Sequence, residues 1–576
     1  MTTVDMEIEW DVPITMDDGL VLRADVFRPS DNEPHPVILT YGPYAKGLAF
    51  QEGYPDQWRR MVEQHPDVAA GSSNVYQNWE VVDPEKWVPE GYVCVRVDSR
   101  GAGRSPGFID HFSPRETEDL AACITWAAEQ SWSSGKIGLN GISYYGINQW
   151  HVASLQPPAL AAMCVWEGAA DWYRDMTHHG GIVSTFWANW YDMQVKTVQH
   201  GLGDRGPRHP LTGLNACGDE TLTEEQLAAN RADFGAEIRA HPLDDAYHRD
   251  RSARFERIVT PLLSAGNWGG HGLHLRGNTE GFIRSASSQK WLEMHGIEHW
   301  THFYTDYGRL LQLEFFDHFL KGADNGWDRR PPVLLQVRRV DGFVERAEEG
   351  WPIPRTVWTR RYLWPEGTLQ TEPPEVAEVS FDALGEGLEF TTEPLETETE
   401  ITGPMSARLW VSSSTEDADL FLVLSLLDPE GDEVTFQGAL DPHTPLAHGW
   451  LRVSHRQLDP ILSEEWRPYH THSQRQPLNP GEVAEVEVEI WPTSIVVPPG
   501  YRLSLSVRGK DYEYRGTDTG GEEVASFKNR FTGVGPFLHN DPKDRPSETF
   551  GGVTTLHFGP ERRASFLLPV IPPPPG

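Results

Sequence analysis

A serine on a tight turn between a predicted strand and a predicted helix is the strongest chemical signal in the chain. The segment GISYYG at 141–146 follows the strand-like SSGKIGLNG at 133–141 and precedes a helical pattern. Glycines permit such a sharp turn, which would hold the hydroxyl of Ser143 clear of the sheet. The backbone N–H of Tyr144 would then face a developing oxyanion at the helix start. The context favours nucleophilic catalysis by Ser143, whereas glycine and serine alone would mark only a turn.

A serine nucleophile needs a base, and a late segment of the chain offers two candidates. His299 and His302 lie in HGIEHWTHFY at 295–304, before the amphipathic LEFFDHFLKG at 313–322. When the triad runs in the order serine, acid, histidine, the base falls in such a late loop. We favour His299 over His302 as the general base.

The elements that must position these residues alternate between strands and helices. Ser113 and Pro114 form a helix start before EDLAACITWAAEQ, and apolar strand patterns lie on either side of this helix. Such alternation predicts βαβ units and a mostly parallel sheet. From about residue 350 the pattern changes to a strict period of two, typical of half-exposed strands in a β-sandwich. The predicted strands of the first part cover 35–44, 92–98, 133–141, 159–168 and 260–267.

The composition excludes several classes of function. The 576 residues include 49 Lys and Arg against 85 Asp and Glu, a formal charge of −36, so we expect no nucleic-acid partner and no membrane-surface partner. No signal-peptide pattern opens the chain and no apolar run reaches the ~18 residues of a membrane span, so a cytoplasmic location is expected. The cysteines lack zinc spacing, and His178 and His179 lack a third ligand, so no metal and no cofactor are expected.

A series of motifs stands in order along nearly the whole chain. They are TYGPYAKG, DSRGAGRSPG, GISYYG, DWYRD and FFDHFLKGADNGW, followed by ITGPMSARLWVSSSTEDADL, GWLRVSHR and HTHSQRQPLNPGEV. This set resembles the cocaine-esterase/X-Pro dipeptidyl-peptidase family of α/β-hydrolases. The resemblance implies an α/β-hydrolase domain with an inserted helical cap, plus a C-terminal all-β jelly-roll domain. We therefore expect the hydrolase domain over 1–170 and 251–345, the cap over 171–250 and the jelly roll over 346–576.

The resemblance also implies how the oxyanion is held. Its two donors in the family are a tyrosine hydroxyl and the N–H that follows the serine. The matching residues here are Tyr44, in GPYAKG, and Tyr144. A phenol is a suitable donor because it can hydrogen-bond to a developing alkoxide from a fixed position.

The catalytic acid departs from the family pattern. Family members carry it in a Gly-Trp-x-Asp-like motif after the seventh strand, but SAGNWGGHGLHLRGN at 264–278 contains no carboxylate. The end of the sixth strand is an alternative place for the acid in α/β-hydrolases, and Glu167 stands there in CVWEGAAD. We predict Glu167 as the acid and keep Asp171 as its alternative, with Glu298 or Glu280 behind both.

Together these residues predict a metal-independent serine hydrolase that cleaves ester or amide bonds of a small-molecule substrate through an acyl-enzyme, with a carboxylesterase favoured. Trp166, Trp172 and His271 are expected at the substrate pocket. An X-Pro dipeptidyl-peptidase and a β-lactam-type acylase remain open. A hypothesis from another functional class is that the chain is a catalytically decayed protein that binds a ligand or glycan. The jelly-roll surface leaves a homodimer possible.

Overall fold

Two large β-sheets organise the chain, and the computed structural model describes residues 5–516 and 532–573 of it. The first sheet has ten strands, all from the N-terminal 348 residues, and the second has twelve strands that follow. Among the described residues, none of the helices has the length and apolarity that a membrane crossing requires.

The first sheet supports the serine turn. Its strands lie in the order β1-β2-β4-β3-β5-β6-β7-β8-β9-β10. From β4 to β9 along this order, neighbouring strands are parallel, while β1, β2 and β10 pair in antiparallel fashion. The predicted mostly parallel sheet is therefore confirmed. The strands are β1 (Met6–Thr15), β2 (Val21–Pro29), β3 (His35–Gly42), β4 (Val93–Asp98), β5 (Ser133–Ile142), β6 (Leu160–Trp166), β7 (Leu262–Asn267), β8 (Lys290–His295), β9 (Val333–Arg339) and β10 (Gly342–Glu348).

The helices that begin at Pro114 and Tyr144 start where the sequence signals place them, whereas the helix that enters the amphipathic segment 313–322 begins earlier, at Asp306. The first, α1 (Pro114–Ala128), is capped by the Ser113 side chain, which accepts from the Glu116 N–H. The others are α2 (Tyr144–Ala153), α3 (Leu275–Arg284) and α4 (Asp306–Phe316). Pro55–Gln64 is a further helix of ten residues, and short helices cover Phe50–Gly53, Pro84–Trp87, Thr301–Tyr304 and Ser547–Phe550.

The segment between β6 and β7 holds four short helices rather than long ones. It also contains two short strands, His178–His179 and Ile182–Val183. Many of its aromatic side chains are buried against the first sheet and form one wall of a cavity described below. The four helices are Phe186–Trp190, Glu224–Ala229, Phe234–Ala240 and Ala246–Arg249.

The second sheet belongs to an all-β C-terminal part. In its long strand Ala484–Val497, Val486 and Val488 are buried while Glu485 is exposed, as the alternation predicts. Arg276 of α3 ties the two parts together, because its Nε lies 2.9 Å from Glu489. The other strands are Val357–Trp364, Thr368–Gln370, Ala377–Asp382, Leu388–Thr391, Thr399–Ser413, Asp419–Leu427, Glu433–Val434, Ala447–Arg452, Arg502–Arg508, Val553–Phe558 and Ser565–Ile571.

Candidate active site

Ser143 occupies a strained turn between β5 and α2. Its backbone has φ 57° and ψ −114°, a conformation that L-residues rarely adopt. The turn is compact: a Cβ added to Gly141 would lie 2.4 Å from the Cβ of Tyr145, and one added to Gly146 would lie 2.9 Å from the carbonyl oxygen of Trp166. Glycine is therefore required on both sides of the serine, which explains the motif.

Glu167 contacts His299 directly. It follows β6 with a positive φ of 45°, and its Oε2 lies 2.9 Å from Nδ1 of His299. Its Oε1 accepts a hydrogen bond from Nδ2 of Asn267, the last residue of β7, at 3.0 Å. Burial of this fully enclosed carboxylate opposes ionisation, but His299 and His295 outweigh it and lower its pKa to about 2. The geometry thus fits an ionised acid that orients the histidine, as predicted for Glu167.

A second histidine, which the sequence analysis did not single out, lies behind Glu167. Nε2 of His295 is 3.0 Å from Oε1 of Glu167, and its Nδ1 is 2.7 Å from Oε2 of Glu293. Burial works against protonation of His295, but Glu293 and Glu167 together raise its pKa to about 9. A protonated His295 supplies positive charge that keeps Glu167 ionised.

Glu80 contacts the other nitrogen of His299. Its Oε1 lies 2.7 Å from Nε2, the atom that must accept the serine proton. Burial opposes protonation of His299, but Glu167 and then Glu80 raise its pKa to about 10. The sequence analysis did not single out Glu80. The available signal was a carboxylate inside the apolar run WEVV at 79–82.

The oxyanion donors predicted from the resemblance both lie at the cavity that holds Ser143. Tyr44 follows β3, and its hydroxyl oxygen accepts a hydrogen bond from Nε1 of Trp190 at 3.1 Å. Burial raises the pKa of Tyr44 well above its usual range, so the phenol keeps a proton to donate. Tyr144 opens α2, where its backbone N–H has no earlier turn of helix to bind.

Removing the Tyr44 hydroxyl should slow the reaction without changing the fold. We expect Tyr44→Phe to lower kcat by about 10²- to 10³-fold, the usual effect of losing one oxyanion donor, with a much smaller change in KM. Steady-state kinetics on an ester substrate provide the measurement. A kcat within a factor of three of wild type would contradict the role of this hydroxyl.

Ser143 and His299 open into the same cavity. The first sheet, the segment after β6 and the C-terminal part all contribute to its wall. The backbone N–H of His299 donates to the carbonyl oxygen of Ala439 at 3.0 Å, which fixes the histidine loop against the C-terminal part. The wall is mostly aromatic; its rings belong to Tyr44, Trp79, Phe112, Tyr144, Phe186, Trp187, Trp190, Trp300 and Phe537.

The structure corrects three predictions for the pocket. Trp166 and Trp172 are fully buried and are not among the described residues that line the cavity. Trp166 stacks on His295 at 5.0 Å, and Trp172 packs behind Trp187 at 4.8 Å, so both support the wall from outside. His271 lines a neighbouring cavity, which shares Ala439, Leu440 and Phe537 with the first.

The remaining candidates, Asp171, Glu280 and His302, are not the partners of either ring nitrogen of His299. Asp171 caps the helical turn Trp172–Thr177 and pairs with Arg174 at 2.9 Å. Glu280 pairs with Arg467 at 2.9 Å. The Nδ1 of His302 is 3.4 Å from the Thr305 hydroxyl. Within the described part of the chain, no set of three or more His, Cys, Asp or Glu side chains is arranged to hold a metal ion.

Two family models match most of the chain. Residues 18–304 match the X-Pro dipeptidyl-peptidase (S15 family), and residues 325–566 match the X-Pro dipeptidyl-peptidase C-terminal non-catalytic domain. A CocE/NonD family hydrolase from Staphylococcus aureus is 31% identical, with a TM-score of 0.82 over 98% of this chain and 94% of that one. The chain belongs to the CocE/NonD, peptidase S15-like family of α/β-hydrolases.

Curated relatives carry esterase and peptidase names. Cocaine esterase from Rhodococcus is 25% identical over 97% of this chain and 98% of its own length. A putative Xaa-Pro dipeptidyl-peptidase from Streptomyces avermitilis is 24% identical over 85% of this chain and 76% of its own length. The predicted family, the α/β-hydrolase fold and the serine hydrolase class are confirmed, and the C-terminal part matches a non-catalytic domain of this family.

Proposed function

We propose that Ser143, His299 and Glu167 form the catalytic triad of an acyl hydrolase that acts on carboxylic esters. The observation that carries this proposal is the carboxylate–imidazole contact of 2.9 Å between Glu167 and His299, at the same cavity as the strained Ser143. In this arrangement the acid follows β6 and contacts Nδ1 of His299, whereas the family resemblance implies an acid after β7.

In this mechanism the Ser143 oxygen forms a bond to the ester carbonyl carbon while its proton passes to Nε2 of His299. Glu167 keeps the Nδ1 proton in place, so that Nε2 is the nitrogen with the free lone pair. The oxyanion accepts hydrogen bonds from the Tyr44 hydroxyl and the Tyr144 N–H. His299 then gives its proton to the leaving alcohol, and the acyl group stays on Ser143.

Water completes the cycle by the same groups in reverse roles. His299 takes a proton from water as the water oxygen attacks the acyl carbon, and then returns a proton to the departing Ser143 oxygen. The products are a carboxylic acid and a regenerated serine. The aromatic wall excludes bulk water from the acyl group and offers contact area to apolar or aromatic substrates.

An ester is favoured over an X-Pro dipeptide because a dipeptidyl-peptidase must pair a buried acid with the substrate ammonium. Two buried carboxylates lie beside the triad histidine, and both of them, Glu167 and Glu80, already bind His299. Oε2 of Glu80 has no hydrogen-bond partner among the described residues, and burial raises the pKa of this carboxyl despite the opposing contact with His299. This oxygen is available to bind a substrate ammonium, and it therefore makes an X-Pro dipeptidyl-peptidase the second candidate.

A substrate panel separates the two functions. We expect the purified chain to show its highest kcat/KM on short-chain and aromatic p-nitrophenyl esters, at least tenfold above Ala-Pro-p-nitroanilide and above acylated β-lactam amides. A kcat/KM that is highest on the X-Pro anilide would overturn the ester assignment and favour the peptidase. Ser143→Ala is included to show that each measured rate belongs to the site.

The division into parts supports the same function. We propose that 1–170 and 251–345 form the hydrolase domain, that 171–250 is the cap and that 346–576 is a jelly roll. The cap brings Trp187 and Trp190 to the cavity, and the C-terminal part brings Leu440 and Phe537. We therefore expect the cap and the C-terminal part to determine which substrate shapes fit the cavity, while residues of the hydrolase domain carry out the reaction.

A further inference from the structure

We propose that Glu80 is a positioning residue that holds the base nitrogen of His299 in the free enzyme and so sets the pH at which Ser143 becomes nucleophilic. The proposal rests on the proposed function, because it concerns the same histidine. It goes beyond that function in assigning a second acid to the nitrogen that has to face the serine.

The hydrogen-bond geometry of His299 carries the proposal. Nδ1 lies 2.9 Å from Glu167, and Nε2 lies 2.7 Å from Glu80. Carboxylates only accept hydrogen bonds when ionised, so an imidazole between two of them donates from both nitrogens and is an imidazolium. If Glu80 is protonated instead, its proton occupies the Nε2 lone pair. In both cases Nε2 is unavailable to the hydroxyl of Ser143.

The fold fixes Glu80 in this place rather than leaving it on a loose loop. Its backbone has a positive φ of 63°, and its carbonyl oxygen accepts from the Ile142 N–H at 3.1 Å, one residue before the nucleophile. On one side, the Tyr304 hydroxyl donates to the Asn78 carbonyl at 3.0 Å. Trp79 stacks on Tyr54 with ring centroids 3.9 Å apart. The carboxylate is thus positioned by the same turn that positions Ser143.

Few of the groups around this pair change charge near neutral pH. His274 stacks on His299 at 5.5 Å, and burial lowers its pKa to about 3, so it stays neutral. The phenols that face Glu80 have raised pKa values because they are buried, and they stay neutral too. Glu167 stays ionised and His295 stays protonated through neutral pH. The phenols are Tyr44, Tyr54, Tyr145 and Tyr304.

The step that produces the base is the loss of one proton from the Glu80–His299 pair to water. The Nε2–H bond breaks, its electron pair stays on Nε2, and the proton leaves with a water molecule. An ionised Glu80 then faces a lone pair and is repelled, so its side chain turns away and Nε2 can accept the Ser143 proton. Raising the pH favours this step, and any change that removes the Glu80 charge makes it easier.

The test is the rate of covalent labelling of Ser143 by a fluorophosphonate, measured from pH 5 to pH 10 for wild type and Glu80→Gln. Labelling requires the serine to lose its proton to His299 but needs no knowledge of the substrate. Removing one of two ion-pair partners should move the acid limb of the rate profile to lower pH by one unit or more. At pH values below the acid limbs of both proteins, the variant should react about tenfold faster than wild type.

Glu298→Gln is the matched control, because Glu298 is a buried glutamate next to His299 in the chain whose carboxylate makes neither of the His299 contacts. Its acid limb should coincide with that of wild type. Coincident limbs for Glu80→Gln and wild type would overturn the proposal. If Glu80→Gln does not fold, Glu80→Asp draws the carboxylate back from Nε2 and should shift the limb in the same direction by a smaller amount; an unchanged limb would again overturn it.

The labelling experiment gives different results when only the role of Glu80 is wrong and when the proposed triad itself is wrong. If wild-type Ser143 is labelled but Glu80→Gln leaves the acid limb of the rate profile unchanged, only the role of Glu80 is contradicted. If folded wild-type protein is not labelled at any pH, the proposed triad is contradicted and the role of Glu80 falls with it.

Discussion

Replacement of Ser143 by alanine is expected to lower kcat/KM for a p-nitrophenyl ester by about 10⁴- to 10⁶-fold. The hydroxyl oxygen is the atom that bonds to the carbonyl carbon, and nothing else on the strained turn can replace it. What remains should be the small contribution of the oxyanion donors and of binding. Initial rates with a matched enzyme concentration series give the measurement.

Ser154→Ala is the control for this variant, since Ser154 follows the far end of α2 and its hydroxyl donates to the Trp150 carbonyl at 2.9 Å. We expect its kcat/KM to stay within a factor of three of wild type. Thermal unfolding of Ser143→Ala should match wild type within a few degrees, because the substitution removes one half-exposed hydroxyl. A Ser143→Ala enzyme that keeps more than one per cent of the activity would rule out a serine mechanism at this turn.

Glu167→Gln carries the second largest expected effect, a fall in kcat of about 10³- to 10⁴-fold. Glutamine has nearly the same shape, so His299 should stay in place. Its amide N–H₂ can donate to Nδ1, and this would put the histidine proton on Nε2, the wrong nitrogen for accepting from Ser143. The imidazolium formed in the transition state also loses the negative charge beside its Nδ1.

Asp171→Asn distinguishes the chosen acid from its alternative. Asp171 caps a helical turn and binds Arg174, so we expect this variant to melt at a lower temperature while its kcat stays within threefold of wild type. The opposite pattern, with activity kept in Glu167→Gln and lost in Asp171→Asn, would contradict the acid assignment. Circular dichroism melts beside steady-state kinetics separate the two effects.

Much of the fold follows from local patterns in the sequence. Buried parallel strands appear as continuous apolar runs, and the cap of α1 appears as Ser113 followed by Pro114, so both were predictable. The turn at Ser143 was predictable because a close backbone approach demands glycine on either side. Glu167 was predicted from the family resemblance, because the acid that the family carries after β7 is absent here and the end of β6 is the alternative place in α/β-hydrolases.

The parts that the sequence did not reveal depend on contacts between distant segments. Glu80 and His299 come from different loops, and 219 positions separate them. Glu293 and His295 stand two residues apart on one strand, as ordinary polar residues can, and only the fold brings His295 to Glu167 with Glu293 on its other ring nitrogen. Trp166 and Trp172 show the reverse error, because an aromatic residue near a site has the same sequence signature in the cavity wall and in the layer behind it.

The most direct test of the proposed triad is to locate the adduct that a fluorophosphonate forms on the folded wild-type protein. Intact mass should show one probe per chain, and peptide mass spectrometry should place it on Ser143. Loss of the adduct in Ser143→Ala would complete the result that we expect. A folded protein that takes up no probe, or that carries it on another residue, would contradict the serine mechanism at this site.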